Sequence, residues 1–96
     1  MQAIRIFGKN YIVDMVDGFD DTGQVGEADS AGIISVKKNS NYDFERETLL
    51  HEIIHCIDEA TGAGLTEQQV TAISSGLFCV YRENGMHIIE RPGGAE

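Results

Sequence analysis

Two histidines and a glutamate lie in the most apolar segment of the sequence, ETLLHEIIHCIDEATGAGLTEQQV, which runs from 47 to 70. His51 and His55 are four residues apart, so on a helix they share one face and lie about 6 Å apart along its axis. Two imidazoles at that spacing can bind one zinc ion at about 2.0–2.1 Å. Glu52 flanks them in the position of a general base that acts on metal-bound water. Because buried titratable groups are costly unless they are compensated, the segment predicts a metal site.

A catalytic zinc ion takes three protein ligands and leaves one position for water. Glu59 is in line with the two histidines, but a straight helix cannot easily bring three residues spread over two turns to one ion. Glu67 begins the predicted second helix, which the turn at 61–65 folds back onto the first. We therefore favour Glu67 as the third ligand, and the competing interpretation is a surface acid favoured at a helix N-terminus.

The elements that must position these residues start with strands. Alternating apolar residues predict a hairpin over 3–17 with its turn at 8–10, and the Gly- and Asp-rich segment 17–30 is typical of a loop. A third strand is expected over 32–36. We expect it to form the sheet edge nearest the metal, where an extended peptide could add as another strand. The alternative is a strand in the middle of the sheet, covered on both edges. The segment 86–90 could form a short closing strand, and 91–96 a frayed tail.

Two helices follow the third strand in the prediction. Ser40 or Asn41 can cap the first helix, which ends at the glycines 62 and 64, and its many apolar positions indicate a helix enclosed on more than one side. Thr66 and Gln69 form a capping box at the start of the second helix. The expected inner face of the second helix consists of four apolar residues, Val70, Ile73, Leu77 and Val80. The sequence thus predicts an α+β fold with a small antiparallel sheet of three to four strands packed on two helices.

The composition limits the classes of function. The 96 residues suffice for one domain spanning 1–96, and the net charge of −9 argues against nucleic acid and anionic membranes as partners. No apolar run approaches the roughly 20 residues that span a bilayer, and the N-terminus lacks a signal-peptide pattern. Cys56 and Cys79 could form a disulfide, or Cys56 could be a ligand, but packing roles in a reduced cytoplasmic protein are favoured.

The segment 25–84 resembles the small phage and prophage metallopeptidase-like proteins of the ImmA/IrrE type, within the gluzincins. In that family a His-Glu-x-x-His helix is followed by a helix whose first residue, a glutamate, is the third ligand. His51, Glu52, His55 and Glu67 match this pattern, and Val70 matches the small or apolar residue that follows three positions later. The resemblance implies a minimal zincin-like domain that acts in the cytoplasm of a bacterial host. Larger members usually have Ala-Asn where this chain has Val-Thr at 70–71, and they continue into a longer C-terminal part.

The leading hypothesis is a zinc-dependent endopeptidase that acts on a protein or peptide and uses Glu52 as general base. The residue that stabilises the oxyanion could be Tyr81, Tyr42 or His87, and the sequence does not rank them. One alternative is a metal-stabilised, non-catalytic protein-binding module of phage or prophage origin, because a zinc site can supply folding energy outright. A further alternative is a dimeric interaction domain without metal. The sequence predicts neither the substrate nor the oligomeric state.

Overall fold

A computed structural model describes residues 2–20 and 23–86 of the chain. Four strands precede two helices: β1 (Gln2–Ile6), β2 (Lys9–Val16), β3 (Gly26–Asp29), β4 (Ile33–Lys37), α1 (Tyr42–Thr61) and α2 (Glu67–Glu83). The α+β class and the small sheet packed with two helices are confirmed. Neither helix in the described part of the chain is long and apolar enough to cross a bilayer.

The sheet is mixed, with strand order β1-β2-β4-β3, and is not antiparallel throughout as the sequence predicted. The difference arises because the chain passes through the edge strand β3 before β4 returns beside β2 in the parallel direction. The β1–β2 hairpin and the β3–β4 pair are antiparallel, whereas β2 and β4 run parallel. The hairpin turn consists of Phe7 and Gly8, with φ of 49° and 82°, one position before the predicted turn. Positive φ at both residues suits the right-handed twist of the flanking strands.

The prediction of an exposed edge at 32–36 is wrong, because β4 pairs with β2 on one side and with β3 on the other. The two edge strands are β1 and β3, and β3, which lies within the segment that the sequence indicated as a loop, is the edge beside the histidines. A four-residue strand of composition Gly-Glu-Ala-Asp has low intrinsic strand propensity, so its conformation comes from the ladder that β4 provides. The predicted strand over 86–90 and the tail over 91–96 lie outside the described residues, apart from Met86.

Helix α1 is enclosed on two sides, as its composition predicted. One apolar cluster fills the space between the sheet and α1, and it consists of Ile6, Tyr11, Val13, Ile34, Val36, Leu49 and Cys56. A second cluster joins α1 to α2 through Leu50, Ile54 and Val70. Cys56 is a free thiol in the first cluster, which confirms its packing role, whereas Cys79 is free and exposed.

The inner face of α2 differs from the prediction. Only Val70 and Ser74 are buried on this helix, whereas Ile73, Leu77 and Val80 stay 40%, 38% and 47% exposed. Residues three or four positions apart line one helix face. The face of α2 that meets α1 therefore runs through residues 70, 74, 78 and 81. The centre of the predicted apolar stripe lies about 75° around the helix from the centre of that face, and the two share Val70.

Candidate metal centre

The two histidines of α1 converge on one point between the helices. The rings of His51 and His55 lie edge to face with centroids 4.8 Å apart. Their Nε2 atoms are 3.2 Å apart, and both side chains are partly buried. Two ligands of a tetrahedral zinc ion with bonds of about 2.0–2.1 Å are about 3.3 Å apart, so the ring nitrogens already have the separation that a shared ion requires.

The turn between the helices sets the start of α2. Gly62 ends α1 in the left-handed conformation, with φ of 69°, and its N–H donates to the carbonyl of Asp58. The carboxylate of Asp58 also accepts the N–H of Leu65 at 2.9 Å. Thr66 then caps α2, and Gln69 completes the predicted capping box. These local bonds reverse the chain, so the first residue of α2 faces the histidine-bearing side of α1.

That first residue is Glu67. Its Oε2 lies 2.6 Å from Nε2 of His51, and its Oε1 lies 2.9 Å from Nε2 of His55. The three side chains offer ligand atoms within 4.8 Å of one another and could hold a metal ion. Glu59 is exposed and is not part of this group, in line with the preference for Glu67.

Glu52 lies beside the group and is only 7% exposed. Burial raises the pKa of its carboxyl to about 7 from an ordinary value of 4.5. The positive charge of His55 lowers this pKa, and the nearby carboxylates of Glu67 and Glu27 raise it. A carboxyl with a pKa near 7 can take up and release a proton at neutral pH, which is the property a general base needs.

Two cavities meet at this residue. One, of about 440 Å³, is bordered by the 24–27 segment, by α1 and by α2, and it contains the His51–His55–Glu67 group. The other, of about 500 Å³, lies towards the C-terminal end of α1 and includes Asp29, Asp58 and Glu59 in its walls. Both are lined by Glu52 and His55. The metal group therefore faces a cleft with room on either side of it.

The free edge of the sheet borders the first cavity. The N–H of Lys37 donates to the carbonyl of Val25 at 2.8 Å, which identifies them as a hydrogen-bonded pair. Because such pairs alternate along an antiparallel ladder, the backbone polar groups of Gly26 and Ala28 point away from β4. The side-chain amide of Gln24 donates to the carbonyl of Gly26 at 3.3 Å. The outer edge of β3 thus offers backbone groups towards the cleft.

Tyr81 and Tyr42, two of the three residues predicted for oxyanion stabilisation, are not brought to the His51–His55–Glu67 group. Tyr81 packs against the α1–α2 cluster and is absent from the described lining of both cavities, and Tyr42 is half exposed at the start of α1. His87 lies outside the described residues. The oxyanion role predicted for Tyr81 therefore lacks support from its position.

Sequence reasoning missed part of the cleft. Glu47 accepts a hydrogen bond from the hydroxyl of Ser75 at 2.8 Å, and both residues line the cavity of about 440 Å³ that contains the His51–His55–Glu67 group. Its position four residues before His51 is a helical spacing that could have identified it. Gly26 has no comparable local signal, because its neighbours come from α1.

Comparisons with family models, with curated proteins and with solved structures found no match to this chain. The resemblance to the ImmA/IrrE type therefore stays a prediction, and the function rests on the site itself.

Proposed function

We propose that this chain is a zinc-dependent metalloendopeptidase that hydrolyses peptide bonds with Glu52 as general base. The observation that supports the proposal most directly is the buried Glu52 carboxyl, with a pKa of about 7, beside three convergent ligand side chains. A purely structural site has no use for a titratable carboxyl in that position. The same cleft is large enough to receive a segment of peptide.

Zinc suits this ligand set better than harder cations do. Two imidazole nitrogens and one carboxylate are the donors of many catalytic zinc sites, whereas magnesium and calcium favour oxygen ligands throughout. Three protein ligands would also leave a bound zinc ion one position for water. A zinc ion bound there would lower the pKa of a coordinated water and polarise a substrate carbonyl.

The residues of the chain then divide the remaining work. His51, His55 and Glu67 hold the ion, and the α1–α2 turn keeps Glu67 in place. Glu52 removes the proton from the attacking water and returns it to the leaving amine, which its pKa permits near neutral pH. Burial beneath β3 shields the carboxyl from bulk water, so its charge interactions are stronger than they would be at the surface.

The substrate would dock on β3 and not on β4 as the sequence suggested. The backbone groups of Gly26 and Ala28 can pair with an extended peptide, which would add to the sheet as a fifth strand. Because Gly26 lies against Glu52, a peptide on that edge would pass close to the metal ligands.

The test compares zinc content and peptide cleavage in matched variants. Glu52→Gln should keep one equivalent of zinc and the fold, because the amide is nearly isosteric, while cleavage of a peptide library should fall by about 10²–10⁴. His51→Ala and His55→Ala should lose zinc and cleavage together. Glu83→Gln is the control, since Glu83 is an exposed glutamate at the end of α2 that is outside the ligand group and lines neither cavity.

Two results would overturn the proposal. One is cleavage by Glu52→Gln at the rate of the unmodified chain. The other is a protein that binds zinc but cuts no peptide in the library or in a bacterial lysate. The second result, together with loss of stability on zinc removal, would favour the metal-stabilised binding module instead.

A further inference from the structure

Gly26 leaves no room for a side chain. A Cβ built on it would lie 2.8 Å from Oε2 of Glu52, 2.8 Å from Cγ2 of Thr48 and 3.2 Å from Cγ of Glu52. Contacts below 3.0 Å are essentially never seen for real Cβ atoms. The φ of Gly26 is outside the left-handed region, so backbone conformation does not require a glycine here. The requirement is space, and the space is occupied by Glu52.

We infer that Gly26 is a positioning residue for the general base: the absence of its side chain lets the Glu52 carboxylate lie between α1 and the edge strand, beside the metal ligands. The inference rests on the proposed function for the meaning of that position. The three nearest atoms belong to Glu52 and Thr48, so the steric effect of a Cβ falls on the base and not on His51, His55 or Glu67.

The two neighbours differ in how easily they can move. Thr48 is buried, and its hydroxyl donates to the carbonyl of Phe44 at 2.9 Å, which holds its side chain in one rotamer. The Glu52 carboxylate is the far end of a side chain with three torsions. On the other side, β3 is held by its ladder with β4. A Cβ at Gly26 would therefore displace the Glu52 carboxylate before it displaced Thr48.

The experiment uses Gly26→Ala in the full chain loaded with zinc. We expect a zinc affinity within about threefold of the unmodified chain, because no ligand is touched, and a shift of the Glu52 carboxylate in the crystal structure. A displacement of about 1 Å can cost about 10²-fold in rate, so kcat should fall by about 10–100-fold on the best library peptide, with little change in KM. Gly18→Ala is the control, since a Cβ there meets nothing within 4 Å.

A second variant separates positioning from packing. Gly26→Ala combined with Thr48→Ser removes the clash with the threonine methyl and keeps the hydroxyl that bonds Phe44. If Gly26 acts on the base, this double variant should recover unfolding temperature but not kcat or the Glu52 position. Recovery of kcat along with stability would assign Gly26 a packing role and overturn the inference. If Gly26→Ala alone fails to fold, kcat and the Glu52 position are measured in the double variant instead.

The outcomes also distinguish this inference from the proposed function. Cleavage by the unmodified chain with unchanged kcat in Gly26→Ala would reject the inference and leave the peptidase proposal standing. A chain that binds zinc but cuts nothing would reject the peptidase proposal. In that case the crystal structure of Gly26→Ala still decides whether Gly26 positions Glu52, and an unmoved carboxylate overturns the inference.

Discussion

Nε2 of His51 lies 2.6 Å from Oε2 of Glu67, although the two residues lie 16 positions apart (67 − 51) on different helices. A tetrahedral ion between them requires a separation of about 3.3 Å, so binding needs a movement of less than about 1 Å. The Glu67 side chain is 67% exposed and can make that movement without disturbing the core. The metal centre therefore depends on the turn that starts α2 as much as on the histidine pair.

The ligand assignment predicts opposite outcomes for two glutamates. Glu67→Ala should weaken zinc binding by at least about 100-fold, because it removes one of three protein ligands. Glu59→Ala should bind zinc nearly as the unmodified chain does, since Glu59 lies outside the group. Competition with a chromophoric chelator measures both affinities, and the reverse order would exclude Glu67 as the third ligand.

The raised pKa of Glu52 predicts that the stability of the metal-free protein depends on pH. Its pKa is raised in the folded state, from 4.5 to about 7, so the native chain binds this proton more tightly than the unfolded chain does. The stability that the protonated carboxyl contributes is complete below about pH 4.5 and is lost as the pH rises through 7. The rise of this pKa from 4.5 to about 7 corresponds to at most roughly 3–4 kcal/mol of unfolding free energy.

Glu52→Gln removes this titration. The difference in unfolding free energy between the variant and the unmodified chain should therefore grow in favour of the variant between pH 4.5 and 8. Urea unfolding in the presence of a chelator measures the difference across that range. A difference that stays constant with pH would show that Glu52 titrates normally.

The open edge of β3 predicts a pattern of amide exchange. In the free protein the N–H groups of Gly26 and Ala28 should exchange rapidly, whereas that of Glu27, which faces β4, should be protected. A substrate peptide bound to Glu52→Gln should slow exchange at Gly26 and Ala28. Hydrogen exchange followed by NMR measures each amide, and peptide binding without added protection there would rule out strand addition on β3.

Replacement of Gly76 and of Gly62 by alanine should change the unfolding free energy in opposite directions. Gly76 is inside α2, and a Cβ on it meets nothing within 4 Å, so Gly76→Ala should raise the unfolding free energy by about 0.5–1 kcal/mol. Gly62 has φ of 69° at the end of α1, so Gly62→Ala should lower it by about 1–2 kcal/mol. Denaturant unfolding of both variants provides the comparison. Destabilisation by Gly76→Ala would contradict the open space found around this glycine.

Local features of the site could be predicted because they depend on residues within about one helical turn. The shared face of His51 and His55 follows from the helical period alone. The end of α1 at Gly62 and the capping box of Thr66 and Gln69 follow from hydrogen bonds between residues no more than four positions apart. The partners of these bonds are specified by local residue types and spacing, so the pattern predicted them correctly.

The helix faces and the sheet edge were decided by tertiary structure. Helix α2 has apolar residues both on the face of Val70 and on that of Ile73, and composition does not distinguish them. Packing on α1 chose the first, since the same rotation brings Glu67 to the histidines. The central place of β4 likewise depends on pairing with β2, about 20 positions earlier in the sequence, a contact between residues that no local pattern relates.

For the chemistry of the site, too, the sequence determined one part and the tertiary structure another. The sequence alone determined which groups could bind a metal and which could act as a base, because residue types and helical spacing specify donors and their common face. Only the tertiary structure determined that Glu52 is buried against Gly26, which gives its carboxyl a pKa of about 7, and that β3 is the edge strand beside the site. Burial and pairing are sums over contacts from distant segments, so they exist only once the chain has folded.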